Sequence, residues 1–219
     1  MAQRAIDRAA LPHPPRVSYE EWLTRPEDAG QSEWVDGEVI EFMPPKTIHQ
    51  SILVLLGKLV GLFVEIRGLG SVFVAPYEMR LANSAREPDL LFVATKHLDR
   101  IDANRLTGAA DLAVEIISED SVARDRVAKF AEYEASGVGE YWIVDARPGR
   151  EAVEWFGLGA DGRYAAILPD AEGRLRSTVL PGFWLDPAWL RREPLPDALP
   201  LLLRIAPDSL RAALADPDA

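Results

Sequence analysis

Two rhythms of apolar positions run along the chain. Between about residues 48 and 66 the sequence is nearly continuously apolar, and Gly68 and Gly70 stop it. That length predicts a buried helix rather than a strand. Its most apolar part, Ser51 to Ile66, is about 16 residues and carries Lys58, short of the ~20 needed to span a bilayer. Shorter runs rich in β-branched and aromatic residues predict strands at Val72–Val74, continuing to Leu81, and at Leu90–Ala94, Leu112–Ile117 and Tyr141–Asp145. A helical stretch from Ser121 to Ser136, closed by Gly137, separates the last two. Strand, helix and strand in that order form a crossover unit.

Turn chemistry fills in the remainder. Ser18-Tyr19-Glu20-Glu21 has the capping-box form and opens a short helix that Pro26 and Gly30 end. The run Glu33 to Phe42 reads as a β-hairpin about Asp36-Gly37, since the type I′ turn needs positive φ at both central residues. Ala152–Phe156, Tyr164–Leu168 and Leu175–Leu180, punctuated by glycines, read as an antiparallel meander. The fold class expected is α/β: a mixed β-sheet flanked by helices, with an N-terminal helix and hairpin. Residues 1–17 read as an arm, 18–190 as the domain, and 191–219 as a tail with a short helix near Ser209–Leu214.

Composition narrows the chemistry. The chain has 219 residues, 48% of them hydrophobic, so a substantial core is available. It has no cysteine, which excludes disulfides, zinc–thiolate sites and a cysteine nucleophile. That fits a cytoplasmic protein. The net charge of -11 speaks against a generic polyanion binder. A local basic groove could still come from Lys46, Arg67, Arg86, Arg124 and Arg126. No two histidines have metal-ligand spacing, and GxSxG, P-loop and dinucleotide motifs are missing.

Carboxylates in apolar strands carry the candidate chemistry. Asp89 heads the strand Leu90–Ala94, and Glu115 sits inside Leu112–Ile117. A carboxylate there is costly to bury without a partner. A divalent cation is one such partner, because Mg²⁺ and Mn²⁺ prefer oxygen ligands. A turn cap for Asp89 and a salt bridge for Glu115 are the plainer readings. On the following helix Asp125, Lys129 and Glu132 share a face, opposite Val127, Phe130 and Ala131. Lys129 is then either a solvated partner of Asp125 or a cation reaching the two carboxylates. Alternation in the hairpin puts Glu33, Val35, Glu38, Ile40 and Phe42 on one mostly apolar face, so Glu33 and Glu38 either line a cleft or protrude into solvent. His49, at the head of the long helix, is a cap or a ligand for phosphate or water. His13 and His97 have no companions, and Trp142 and Trp155 read as core.

Three stretches together resemble the Uma-type restriction-endonuclease family of the PD-(D/E)XK nuclease superfamily. They are EWVDGEVIEFMPP with His49 after it, EPDLLFV, and VEIISEDSVARDRVAKFAEYEASGVGEYWIVD. The resemblance spans roughly residues 18 to 185. It implies a mixed sheet between helices, with Asp89 and Glu115 as ligands of Mg²⁺ or Mn²⁺. The usual lysine two positions after the glutamate is here Ile117. The resemblance implies that Lys129 takes its place, that Glu38 matches an early acidic residue with Glu33 as companion, and that His49 occupies a family position. The activity implied is hydrolysis of DNA phosphodiester bonds leaving a 5′-phosphate, with a homodimer as a plausible assembly and no membrane association. The alternatives are an interaction module of little activity on the same fold, and a metal-dependent hydrolase of RNA or small phosphorylated compounds.

Overall fold

The computed structural model describes residues 15–26 and 30–215. Most of the expected N-terminal arm, with His13, lies outside them. Ser18 caps α1 (Tyr19–Leu23) through the capping box seen in the sequence. The hairpin follows as β1 (Ser32–Val35) and β2 (Glu38–Glu41). Val35 pairs with Glu38 across the turn, where Asp36 and Gly37 have φ of 47° and 90°. The apolar run forms α2 (Thr47–Arg67), ended by Gly68 at φ 59°. By length and composition its 21 residues could cross a membrane, so it is longer than its most apolar stretch implies. In this fold α2 is the central core helix.

Beyond α2 the chain builds β3 (Gly70–Val74), β4 (Glu78–Arg80), β5 (Ser84–Arg86), β6 (Leu90–Ala94), β7 (Arg105–Thr107) and β8 (Leu112–Ile117). The expected continuation of β3 to Leu81 does not form. Pro76 interrupts it, having no N–H to give a ladder, and β4 joins a different sheet. After β8 come a π-helical segment (Arg124–Lys129), α3 (Phe130–Ser136), capped by Gly137 at φ 84°, and β9 (Glu140–Asp145). β10 (Ala152–Leu158) and β11 (Tyr164–Ile167) extend the sheet. β12 (Leu175–Arg176) and β13 (Trp184–Leu185) form a small ribbon of their own, so the third strand of the expected meander leaves the sheet. Buried Glu140 accounts for the departure. It accepts hydrogen bonds from the hydroxyls of Ser177 at 2.8 Å and Thr178 at 2.6 Å, and so draws residues 177–178 off the strand path.

The result is a mixed α/β architecture. The larger sheet runs β11-β10-β9-β8-β6-β3, with β8 and β9 parallel. The smaller runs β2-β1-β5-β4-β7. Alternation along β8 decides which layer each residue joins. Leu112, Val114 and Ile116 pack with the α2 core, together with stacked Trp142 and Trp155, Phe183, and Trp184 against Trp189. Ala113 and Ile117 face the opposite layer, with Met79 and Leu106 of the smaller sheet and Tyr133 of α3. Glu115 shares their parity and therefore points between the two sheets. The tail holds two helices, α4 (Ala198–Ile205) and α5 (Pro207–Ala215), where the sequence pattern suggested one. Leu201, Leu202 and Ile205 of α4 belong to the α2 core.

Phe63 is fully buried in α2 and meets Phe183 edge-on with ring centroids 5.2 Å apart. Phe63→Ala is expected to cost about 3–5 kcal/mol, since both the transfer free energy and the cavity count against it. Urea denaturation of the two proteins checks this.

Candidate active site

The register between β6 and β8 assembles the site. Leu90 pairs with Val114, so Asp89, one residue earlier, comes level with Glu115. The Asp89 side chain continues the ladder where the backbone stops: its Oδ2 accepts the Ile116 N–H at 2.6 Å. Its Oδ1 lies 3.2 Å from His49 Nε2. Burial disfavours charge on His49, but the adjacent Asp89 carboxylate outweighs it and holds the imidazole above its ordinary pKa.

Lys129 closes the group from the next element. Its ammonium is only 2% exposed and donates to Glu115 Oε1 at 2.7 Å. The same nitrogen lies 2.8 Å from Glu33 Oε1 and 3.8 Å from Asp125 Oδ1. Burial alone would discharge this lysine, but Glu115, Glu33 and Asp125 around it hold its pKa above the ordinary value. Tyr133 donates its hydroxyl to Glu115 Oε1 at 2.9 Å, and burial beside that carboxylate keeps the phenol protonated. Glu115 itself is pushed well up by burial and by neighbouring Asp125, Asp89 and Glu33, against the pull of Lys129. Glu33 goes the other way: burial is outweighed by Lys129 and Arg86, which keep it ionised.

Behind Lys129 the ion pairs form a ring. Arg86 donates from Nη1 to Glu33 at 2.9 Å and from Nε to Glu132 at 2.8 Å. Ser84 donates to the other oxygen of Glu132, and the Glu87 N–H to Glu33 at 3.0 Å. Glu132 and Lys129 are three residues apart on the helical segment. The helix is thus clamped to the smaller sheet at two points through Glu33 and Arg86. Asp125, Lys129 and Glu132 share a face as the helical spacing predicts, but it is the face turned to the protein interior rather than to solvent. Asp125 and Lys129 are buried, while Val127, expected on the apolar side, is exposed.

A cleft of about 380 Å³ opens onto this group. Asp89, Glu115, Lys129 and His49 all line it. Glu33 and Glu38 do not, although they share a hairpin face as expected. Glu33 is fully buried behind Lys129, and Glu38, beside the turn, is exposed. Of the residues expected to form a basic groove, only Lys46 and Arg124 reach the cleft. Arg86 is consumed by the buried ring, Arg126 pairs with Asp145 and Glu154, and Arg67 lies over Phe63. Seven carboxylates line the cleft, from Glu41, Glu87, Asp89, Glu115, Glu119, Asp120 and Asp125, against the cations of Lys46, Arg124 and Lys129. Burial pushes the Glu87 carboxyl up to about 7.

Four buried atoms of cleft-lining residues have no hydrogen-bond partner among the described residues: His49 Nδ1, Glu87 Oε2, Arg124 Nε and Asp125 Oδ1. Among the described residues no three carboxylate or imidazole groups are grouped as a metal cage. Mg²⁺ does not need one, because it keeps several waters and is bound through one or two carboxylates. Asp89 and Glu115, set level across two strands in an acidic cleft, fit that requirement. Tyr133 and Glu87 also belong to this centre and were not singled out by pattern, while Arg86, expected in a surface groove, and Asp125, expected beside Lys129, lie buried in it.

A family model described as Uma2, "Putative restriction endonuclease", matches residues 17–188. Among solved structures, a nuclease so titled ("putative nuclease belonging to DUF820") from Anabaena variabilis ATCC 29413 is similar to this chain at a TM-score of 0.64 and 16% identity. The match covers 80% of this chain and 97% of that one, and at that identity it shows a common fold. No curated protein matches the chain.

Removing Arg86 leaves the Glu33 and Glu132 carboxylates short of a buried cation. Arg86→Met is expected to cost about 3–5 kcal/mol. Arg163→Met, which breaks an exposed pair with Glu134, is expected to leave stability nearly unchanged. Equilibrium unfolding of both variants beside the parent tests the contrast.

Proposed function

Because this chain belongs to the Uma2 family of restriction-endonuclease-like proteins, we propose that its cleft hydrolyses phosphodiester bonds of DNA with the help of Mg²⁺ or Mn²⁺. The observation that carries this is the convergence of Asp89, Glu115 and Lys129 on one acidic cleft. A phosphodiester entering a cleft with seven carboxylates and three cations meets net repulsion, so the site calls for further positive charge.

Asp89 and Glu115 are the residues that would hold the cation. Bound there, it would activate water and offset charge on the phosphate. His49 fixes the orientation of Asp89, as the Ile116 N–H does from the other side. Lys129 remains protonated and fixed by Glu33 and Glu115, with one N–H left over for a water or a phosphate oxygen. A charge held rigidly in a site of low dielectric stabilises the developing phosphorane without reorganisation. Glu33 acts through Lys129 and is a positioning residue. Glu38 lies outside the cleft and is given no catalytic part. Lys46 and Arg124 on the rim would meet the flanking phosphates.

Plasmid cleavage in Mg²⁺ or Mn²⁺ tests the reading, with wild type and Asp89→Ala purified side by side. Metal-dependent nicking that falls by about 100-fold or more in Asp89→Ala is the expected result. Equal nicking by both proteins, or none by either, would overturn it. Lys129→Met in the same assay is expected to lose about 100-fold or more, and to melt below wild type because Glu33 and Glu115 lose the cation they share.

A further inference from the structure

One stretch of the cleft lining has no part in this scheme. Beside the charged groups, Phe42, Met43, Pro44, Pro45, Leu53 and Ala75 line the same space. Apart from the weakly accepting sulfur of Met43, none of these side chains forms hydrogen bonds. Met43 is 75% exposed, so its thioether stands as a bare apolar surface at the edge of the cleft. Pro44 and Pro45 follow it directly, with φ fixed by their rings and no backbone N–H. Arg124 joins this stretch to the charged part of the cleft, its guanidinium lying 4.7 Å from the centre of the Phe42 ring. A phosphate met by Arg124 therefore leaves its base within reach of the apolar stretch.

Size and charge select the form of nucleic acid that fits. At about 380 Å³ the cleft lies near the lower end of small-molecule sites, roughly 300–1,000 Å³, with room for a nucleotide and not for a duplex. Glu115 and Lys129 are buried at its inner end. A duplex brings one negative charge per ~1.7 Å of its axis, twice the density of either strand alone. Against that stand a chain of net charge -11 and two rim cations, Lys46 and Arg124. Contact with the face of an unpaired base supplies attraction that this charge balance withholds.

We propose that the cleft takes a nucleotide out of the base stack, its base laid on Met43 and the two prolines, so that the substrate is single-stranded or locally unpaired DNA. The inference rests on the hydrolytic reading of the site. The contact is with the face of the base rather than its edge, and is therefore tolerant of sequence. Fully paired DNA must first be opened at a cost in free energy. Negative supercoiling favours such opening in a plasmid, which keeps plasmid nicking among the expected results.

The test uses one labelled DNA oligonucleotide, as a single strand and annealed to its complement. Binding is followed by fluorescence anisotropy in Ca²⁺, and steady-state cleavage in Mn²⁺, for wild type, Met43→Ser and Met43→Leu. Wild type is expected to bind the single strand about 10-fold or more tighter than the duplex and to cleave it with a correspondingly higher kcat/KM. Met43→Ser is expected to lose about 10-fold in affinity for the single strand and to raise KM with little change in kcat, while Met43→Leu, which restores an apolar surface, stays near wild type. All three are expected to melt together, because position 43 is exposed. Cleavage with equal or better binding of the duplex would overturn this proposal and leave the hydrolytic reading standing. So would wild-type affinity of Met43→Ser for the single strand. Binding without cleavage of either form would overturn the hydrolytic reading, and the substrate assignment with it.

Discussion

The buried ammonium of Lys129 is the constraint on which the rest of the centre depends. It is shared at 2.7 and 2.8 Å between Glu115 of the larger sheet and Glu33 of the smaller. Burying a lysine is tolerable only where carboxylates surround it, and burying those carboxylates is tolerable only with the lysine present. The consequence is structural as well as chemical. Two sheets and one helix must meet at a single nitrogen for any of the three charges to be buried. Arg86 repeats the arrangement one layer back, so that Glu33 faces a cation on each side.

The strands turn that constraint into a site. Pairing of β6 with β8 sets Asp89 level with Glu115, and their common parity sends both to the layer where the sheets face each other. Glu115 gives one oxygen to Lys129 and Tyr133. Burial, and then the neighbouring carboxylates, raise its affinity for a proton, and a metal ion would compete for the same charge. In this chain the lysine is bound to the helix rather than to the strand of Glu115, and the compensation is the clamp of Glu33, Arg86 and Glu132 that fixes the helix in place.

Much of this could be read from the chain and some could not, for identifiable reasons. Strand alternation and the Asp-Gly turn are local, so the hairpin, β6, β8 and β9 stand where pattern places them. Asp89 and Glu115 were legible because acids are conspicuous in apolar strands. Alternation also grouped Glu33 with Glu38 correctly on one face, but not their depths. Glu33 is covered by Lys129 and Arg86, which are distant in sequence, while Glu38 lies beside the turn, where nothing covers it. The π-helical segment is invisible in sequence, since the same residues suit a regular helix and only packing decides. The pairing of Asp125 with Lys129 was legible from helical spacing, but the burial of that face and the exposure of Val127 were not, because acids distant in sequence draw the charged face inward. The buried Arg86 is likewise non-local, a cation matched to acids 53 and 46 residues away.

Crystals grown with Mn²⁺, measured for anomalous scattering, address the centre most directly. An anomalous peak bonded to carboxylate oxygens of both Asp89 and Glu115, with Lys129 still between Glu33 and Glu115, is the expected result. A peak held by other residues, or a fully charged Mn²⁺ solution that leaves both carboxylates without an ion, would contradict it.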